Sequence, residues 1–342
     1  MDFASQPLLA QSLKSGETIG FFSASSPVTA TAPHRFARAQ QFVEAKGFPL
    51  KAGILTGKRD FYRAGSIRQR AEELNQLLRD PQVRCIISTI GGMNSNALLP
   101  YLDYEAIKAD PKIIIGYSDT TALLLGIYAK TGLITFYGPA LVASFGEFPP
   151  LVDNTWDAFA EVIIGPTALP YTYTLPAFWS DEKLNWDTLA PERPKTLYPN
   201  DCCFLGTGRV TGRVIGGNLN TLSGIWGSPY MPEIKHGDIL LIEDSLKDIA
   251  TVERAFSMLK LNGVFDRVAA ILLGKHELFD DAGSGRRPAD VLLEVLDGQT
   301  IPLVDGFDCC HTHPMLTVPL GAQLTIDFDR QQAAIVAPYL IS

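Results

Sequence analysis

The chain has 342 residues, 46% of them hydrophobic and 19% charged, and its 29 Lys and Arg against 37 Asp and Glu give a net charge of −8. That apolar content excludes a disordered or fibrous chain, and the acidic balance excludes a general binder of DNA or RNA, whose phosphates it would repel. At roughly 150 residues per domain, the length predicts two domains, each able to bury its own core.

In chain order, ETIGFFSASS (17–26) predicts a strand ending in small polar residues, and RFARAQQFVEAKG (35–47) has helical spacing and a Gly stop. SIRQRAEELNQLLRD (66–80) predicts an amphipathic helix, followed by the apolar strand VRCIISTIGG (83–92). KIIIGYSD (112–119) reads as a fully apolar strand running straight into the helix TTALLLGIYAKTG (120–132). Strands apolar on both faces, alternating with helices, predict an α/β fold with a doubly wound, mostly parallel sheet of the Rossmann or flavodoxin kind. Ligands bind beyond the carboxyl ends of such strands, which draws attention to IGGMNSN and GYSDTT.

Beyond about residue 150 the texture changes. TALPYTYTLPAFWSDEKLNWDTLAPERPKTLYPND (167–201) is rich in Pro, Tyr and Trp, as a linker and a long functional loop would be. A Gly-rich β segment (206–218), the apolar strand HGDILLIEDS (236–245), a helix, the strand VAAILLGKH and a late β stretch LTVPLGAQLTIDFD follow. The expected domains are 1–167 and 168–342, with a substrate loop at about 178–200. Five cysteines, Cys85, Cys202, Cys203, Cys309 and Cys310, form two adjacent pairs and one odd residue, which is no secreted disulfide framework. With no signal peptide and no uninterrupted apolar span, a soluble cytoplasmic protein is expected.

Ser118 sits where an apolar strand turns into a helix, the logic of a nucleophile elbow, although the usual G-x-S-x-G is absent. The helix N-terminus favours developing negative charge there, and the Asp119 N–H would lie near an oxyanion. A plain N-cap at Ser118, Asp119 or Thr120 is the alternative. Gly91-Gly92 ends another strand, so its backbone could approach a ligand or form a tight turn. Glu243 and Asp244 close the run DILLIEDS, where a carboxylate needs a partner such as a histidine to orient, or caps the next helix. Lys247 could meet an anionic ligand group, and Glu277, in GKHELF, could face the same sheet edge. His34 and His236 have loop-like surroundings, whereas His311 and His313 lie in CCHTHPM between β-type runs. Adjacent cysteines point apart and no C-x₂-C knuckle is present, so no metal site is expected. GGNLN (216–220) could cradle a phosphate but lacks the P-loop Lys-Ser/Thr. Trp186 is the aromatic best placed to stack on a ligand or to pin its loop.

Taken in order, GFFSASSP, STIGG, GYSDTTALL, GGNLNTL, ILLIEDS, LLGKHE and HTHPMLTVPLG resemble the LD-carboxypeptidase family of serine peptidases over nearly the whole chain. IIIGYSDTTALL, IGGNLNTLSGIWGS, ATVERAFSMLKLN, GKHELFD and the loop SDEKLNWDTLAPERPK resemble its microcin C self-immunity branch. The resemblance implies a triad of Ser118, His311 and Glu243, and an oxyanion hole from the N–H groups of Gly92 and Asp119. It implies a C-terminal α/β domain containing a β-barrel-like sheet, a homodimer, and no metal or organic cofactor. It also implies hydrolysis of the amide joining an aspartyl or glutamyl group to an adenylate-like nucleotide. Trp186 would stack on adenine, Asn220 and Lys247 would bind polar parts of the substrate, and Glu277 would meet its free amine. A murein tetrapeptide LD-carboxypeptidase is the second enzymatic expectation, and a non-catalytic nucleotide-binding module the third; neither nucleic acid nor membrane is an expected partner. Met93 and Cys310 depart from the family's usual residues next to Gly92 and His311, which bears on the lining of the pocket.

Overall fold

A computed structural model describes residues 6–165, 168–186 and 192–342. The expected boundary at 167 and residues 187–191 of the expected substrate loop lie outside them.

The apolar runs of the first half form a six-stranded sheet in the order Val318–Leu320, Thr135–Tyr137, Ile113–Gly116, Val83–Ser88, Thr18–Phe22, Leu50–Ala52. Its strands are parallel except Val318–Leu320, which adds antiparallel to Thr135–Tyr137 at the edge. Ile113–Gly116 is buried throughout, as a central strand covered on both faces must be. The helix Ile67–Arg79 starts at a reciprocal Ser66 and Gln69 capping box, and Thr121–Thr131 ends at Gly132 in the left-handed region. The latter helix is apolar on nearly every side of its first two turns, because it lies between the two sheets.

The second half builds an eight-stranded sheet that curls as a half barrel, in the order Tyr171–Thr172, Gln332–Ile335, Gln323–Asp327, Arg209–Asn218, Ile239–Glu243, Ala270–Gly274, Leu303–Phe307, Cys203–Leu205. Its four central strands are parallel and its flanks antiparallel. The Gly-rich segment is one ten-residue strand that changes partner midway. Arg209–Arg213 pairs with Gln323–Asp327, and Val214–Asn218 pairs with Ile239–Glu243. The late β stretch divides between the sheets, since Val318–Leu320 joins the first and Gln323–Asp327 the second. The carboxyl ends of both parallel sets open onto one cleft. Among the described residues, no helix is long and apolar enough to cross a membrane.

Candidate active site

Ser118 follows the strand Ile113–Gly116 and adopts φ +60°, a left-handed backbone that is unfavourable by roughly 1–2 kcal/mol for a residue with a Cβ. Its N–H donates to Tyr137 Oη at 3.1 Å, and Thr121 Oγ1 donates to its carbonyl at 2.6 Å. Bare backbone lies against the turn. A Cβ on Gly91 would stand 2.7 Å from Ser118 Cβ and 3.0 Å from Asp119 N, and one on Gly92 (φ +148°) 2.4 Å from Ser25 Cβ. Only glycine fits at either place. The Asp119 carboxylate fastens this loop to the elbow by accepting from Asn94 N at 3.0 Å, Ser95 N at 2.9 Å and Ser25 Oγ.

His311 Nε2 lies 2.8 Å from Ser118 Oγ, and its Nδ1 lies 2.6 Å from Glu243 Oε2. Glu243 ends the strand Ile239–Glu243 and is fully buried; its Oε1 accepts from Tyr137 Oη at 2.6 Å and Asn218 Nδ2 at 3.1 Å. Burial alone would raise its pKa, but His311, Tyr137 and Asn218 together hold the carboxyl below its ordinary range. Burial likewise opposes charge on His311, yet Glu243 at contact, with Glu277 and Asp244 beyond, holds the imidazole above its ordinary value. Chemically this is a hydroxyl joined to a base whose far nitrogen is held by a carboxylate, the arrangement that activates a nucleophile.

These groups face a cleft of about 680 Å³, the size of a small-molecule site. Gly92, Ser118, Trp186, Asn220, Lys247 and Glu277 all line it, as does the exposed Met93. Asn220 is held by its N–H to Asp244 Oδ2 at 3.1 Å, and the 245–247 turn is tied to the Glu277 segment through Leu246 N to Glu277 O at 2.8 Å. Burial raises the pKa of Glu277, with His311 and Lys195 opposing. Gly216 and Gly217 do not form an open phosphate cradle. Their faces are filled by Leu241 O and Thr121 Cγ2, 2.0 and 2.7 Å from where a Cβ would be, and the Asn218 side chain caps its own short helix. His34 and His236 are exposed, away from the cleft.

Sequence reasoning missed the second layer. The Arg35 guanidinium lies over the Trp186 ring at 4.2 Å and donates to Glu147 Oε2 at 2.9 Å. Lys195 Nζ lies 3.5 Å from the same carboxylate and 3.4 Å from His313 Nδ1. Burial would raise Glu147, but Arg35 at contact, with Lys195 beyond, holds the carboxyl below its ordinary range; burial and Lys195 push His313 down to about 3, so it is neutral. No motif marks Arg35, Glu147 or Tyr137. The one available signal was that Lys195 and Trp186 share the Pro-rich loop.

The chain matches the LD-carboxypeptidase N-terminal domain over residues 19–138 and the LD-carboxypeptidase C-terminal domain over residues 211–326. It is 65% identical to the microcin C7 self-immunity protein MccF of Escherichia coli over 99% of both chains. It is also 65% identical to a putative carboxypeptidase of Vibrio cholerae over 94% of this chain and 96% of that one. A solved structure of MccF in complex with aspartyl sulfamoyl adenosine, 66% identical, superposes with a TM-score of 0.96 over 98% of this chain and all of that one. Both halves of the family pattern are thus present in order around one cleft, and the chain belongs to the LD-carboxypeptidase family of peptidases.

Proposed function

We propose that this hydrolase cleaves the amide between an aspartyl or glutamyl group and an adenylate-like nucleotide, and so confers immunity to microcin C and its processed forms. The observation that carries the reading is the continuous Ser118–His311–Glu243 hydrogen-bonded chain on the floor of a cleft whose wall bears Trp186. The likeness to MccF, solved with aspartyl sulfamoyl adenosine, supports the substrate class.

In this reading His311 Nε2 takes the proton from Ser118 Oγ as the oxygen attacks the substrate carbonyl. Glu243 orients the imidazole and stabilises its charged form. The N–H groups of Gly92 and Asp119 receive the oxyanion, each worth ~3 kcal/mol of barrier in comparable sites. His311 then protonates the leaving nitrogen, and water hydrolyses the acyl ester on Ser118 by the same route. Trp186 stacks on the base, Asn220 and Lys247 hold polar substrate groups, and Glu277 pairs with the free amine. Residues 1–167 supply the nucleophile and 168–342 the glutamate and histidine. The protein acts as a homodimer in the cytoplasm.

Ser118→Ala removes the nucleophile, and turnover of aspartyl sulfamoyl adenosine, followed by mass spectrometry, should fall by about 10⁴-fold or more. Undiminished cleavage by the folded variant overturns the reading. More distant relatives named as murein peptide and murein tetrapeptide carboxypeptidases favour a second one, removal of the terminal D-alanine from murein tetrapeptides. Assayed side by side, a preference for the tetrapeptide would reverse the order.

A further inference from the structure

The hydrogen bonds of the site close into a ring. From Ser118 Oγ they run to His311 Nε2 at 2.8 Å, from His311 Nδ1 to Glu243 Oε2 at 2.6 Å, and from Glu243 Oε1 to Tyr137 Oη at 2.6 Å. Tyr137 Oη then accepts from the backbone N–H of Ser118 at 3.1 Å, returning to the starting residue. Tyr137 is fully buried at the end of the strand Thr135–Tyr137, in register with Gly116 of the neighbouring strand.

We propose that Tyr137 is a positioning residue for the reaction: one phenol holds the left-handed backbone of Ser118 and fixes Glu243 as the acceptor for His311. The proposal rests on Ser118, His311 and Glu243 being the catalytic set. Its physical basis is that the hydroxyl has one proton, given to Glu243, and its oxygen receives the Ser118 N–H. Glu243 is fully buried, so no water replaces the phenol there, and a buried group left unpaired is costly. Burial and the nearby Glu243 charge push the phenol pKa well up, so it remains a donor. Without the bond to Ser118 N, the elbow loses a contact that offsets its unfavourable φ.

The expected sign follows from the pair. Tyr137 stabilises the Glu243 anion most when His311 is neutral, because an imidazolium already compensates that charge. Removing the hydroxyl therefore raises the His311 pKa. The other groups facing the pair are Glu277, Asp244, Tyr117 with its ring centroid 4.9 Å from that of His311, the thiols of Cys309 and Cys310, which burial pushes up and so keeps protonated, and His276, which burial holds down to about 4 and hence neutral. None of them changes in the variants below.

The test compares the wild-type chain, Tyr137→Phe, and a chain with 3-fluorotyrosine at 137, which keeps the shape and strengthens the donor. The His311 imidazole is titrated by NMR without substrate, and steady-state turnover of aspartyl sulfamoyl adenosine is measured. Tyr137→Phe should raise the His311 midpoint, and the acidic limb of kcat/KM with it, by about half a pH unit. It should lower kcat about 10- to 100-fold, with KM held within about twofold. Fluorotyrosine should move the midpoint down. A midpoint unmoved in both variants overturns the proposal, and if Tyr137→Phe fails to fold the fluorotyrosine chain decides alone. If the wild type cleaves nothing while the midpoints move as expected, the activity reading fails and the role of Tyr137 stands.

Discussion

The floor of the cleft and its Trp186 wall both bury charge, but they differ in how tightly the charge is held. On the floor, Glu243 takes contacts of 2.6, 2.6 and 3.1 Å from His311, Tyr137 and Asn218, and the glutamate, tyrosine and asparagine are all strand-end residues. On the wall, Arg35 from a helix holds Glu147 at 2.9 Å, whereas Lys195, from an irregular loop, reaches Glu147 and His313 only at 3.5 and 3.4 Å. Proton transfer needs positions kept to a fraction of an ångström, which sheet termini supply. A loop carrying an aromatic ring on the wall needs only to be held in place, and a loop lysine can do that at longer range.

That contrast breaks most sharply at Glu243. Glu243→Gln keeps the shape but places an amide against His311 Nδ1, disfavouring the productive tautomer. A fall of about 10⁴-fold in kcat with little change in Tm is expected. A loss under tenfold would mean that the floor geometry does not depend on the carboxylate. Next comes the wall. Glu147→Gln leaves Arg35 and Lys195 buried without their anion, and breaking such a pair costs about 3–5 kcal/mol. Thermal unfolding should show the loss, while kcat of the folded variant changes far less. An unchanged Tm would show that the wall ions are dispensable. The smallest effect is expected at the ring itself. Trp186→Ala removes stacking worth about 1–3 kcal/mol, seen as a raised KM for the nucleotide substrate with kcat largely kept. A drop mainly in kcat would place the ring's influence on the floor.

How much of this was legible in the sequence follows the same division. The helices at 35–47, 66–80 and 120–132 appear as Pro33–Ala45, Ile67–Arg79 and Thr121–Thr131, because their spacing, caps and Gly stops are local signals. Ser118, Glu243 and the Gly91-Gly92 pair stood out because each ends an apolar run, and such ends of the two sheets meet at one cleft. Tyr137 was invisible because its strand has only three residues and no pattern of its own. Arg35 over Trp186 is a contact between positions 151 apart, which no periodicity encodes. The Gly216-Gly217 pair misled because close packing of backbone and binding of phosphate demand the same residue type.

The strand Val318–Leu320 has a consequence for how this chain can move and be divided. Seven residues after His311 the chain crosses back to pair with Thr135–Tyr137, so the first sheet is finished only by the far end of the sequence. The bridge Gln11 to Ile341 stitches the two ends of the chain together again. Opening the halves like a clamshell would tear the register of Val318 with Tyr137, so the two halves cannot part without breaking the first sheet. By the same token, a fragment truncated near residue 167 would expose Thr135–Tyr137 as a raw edge, inviting the intermolecular strand addition that such edges promote.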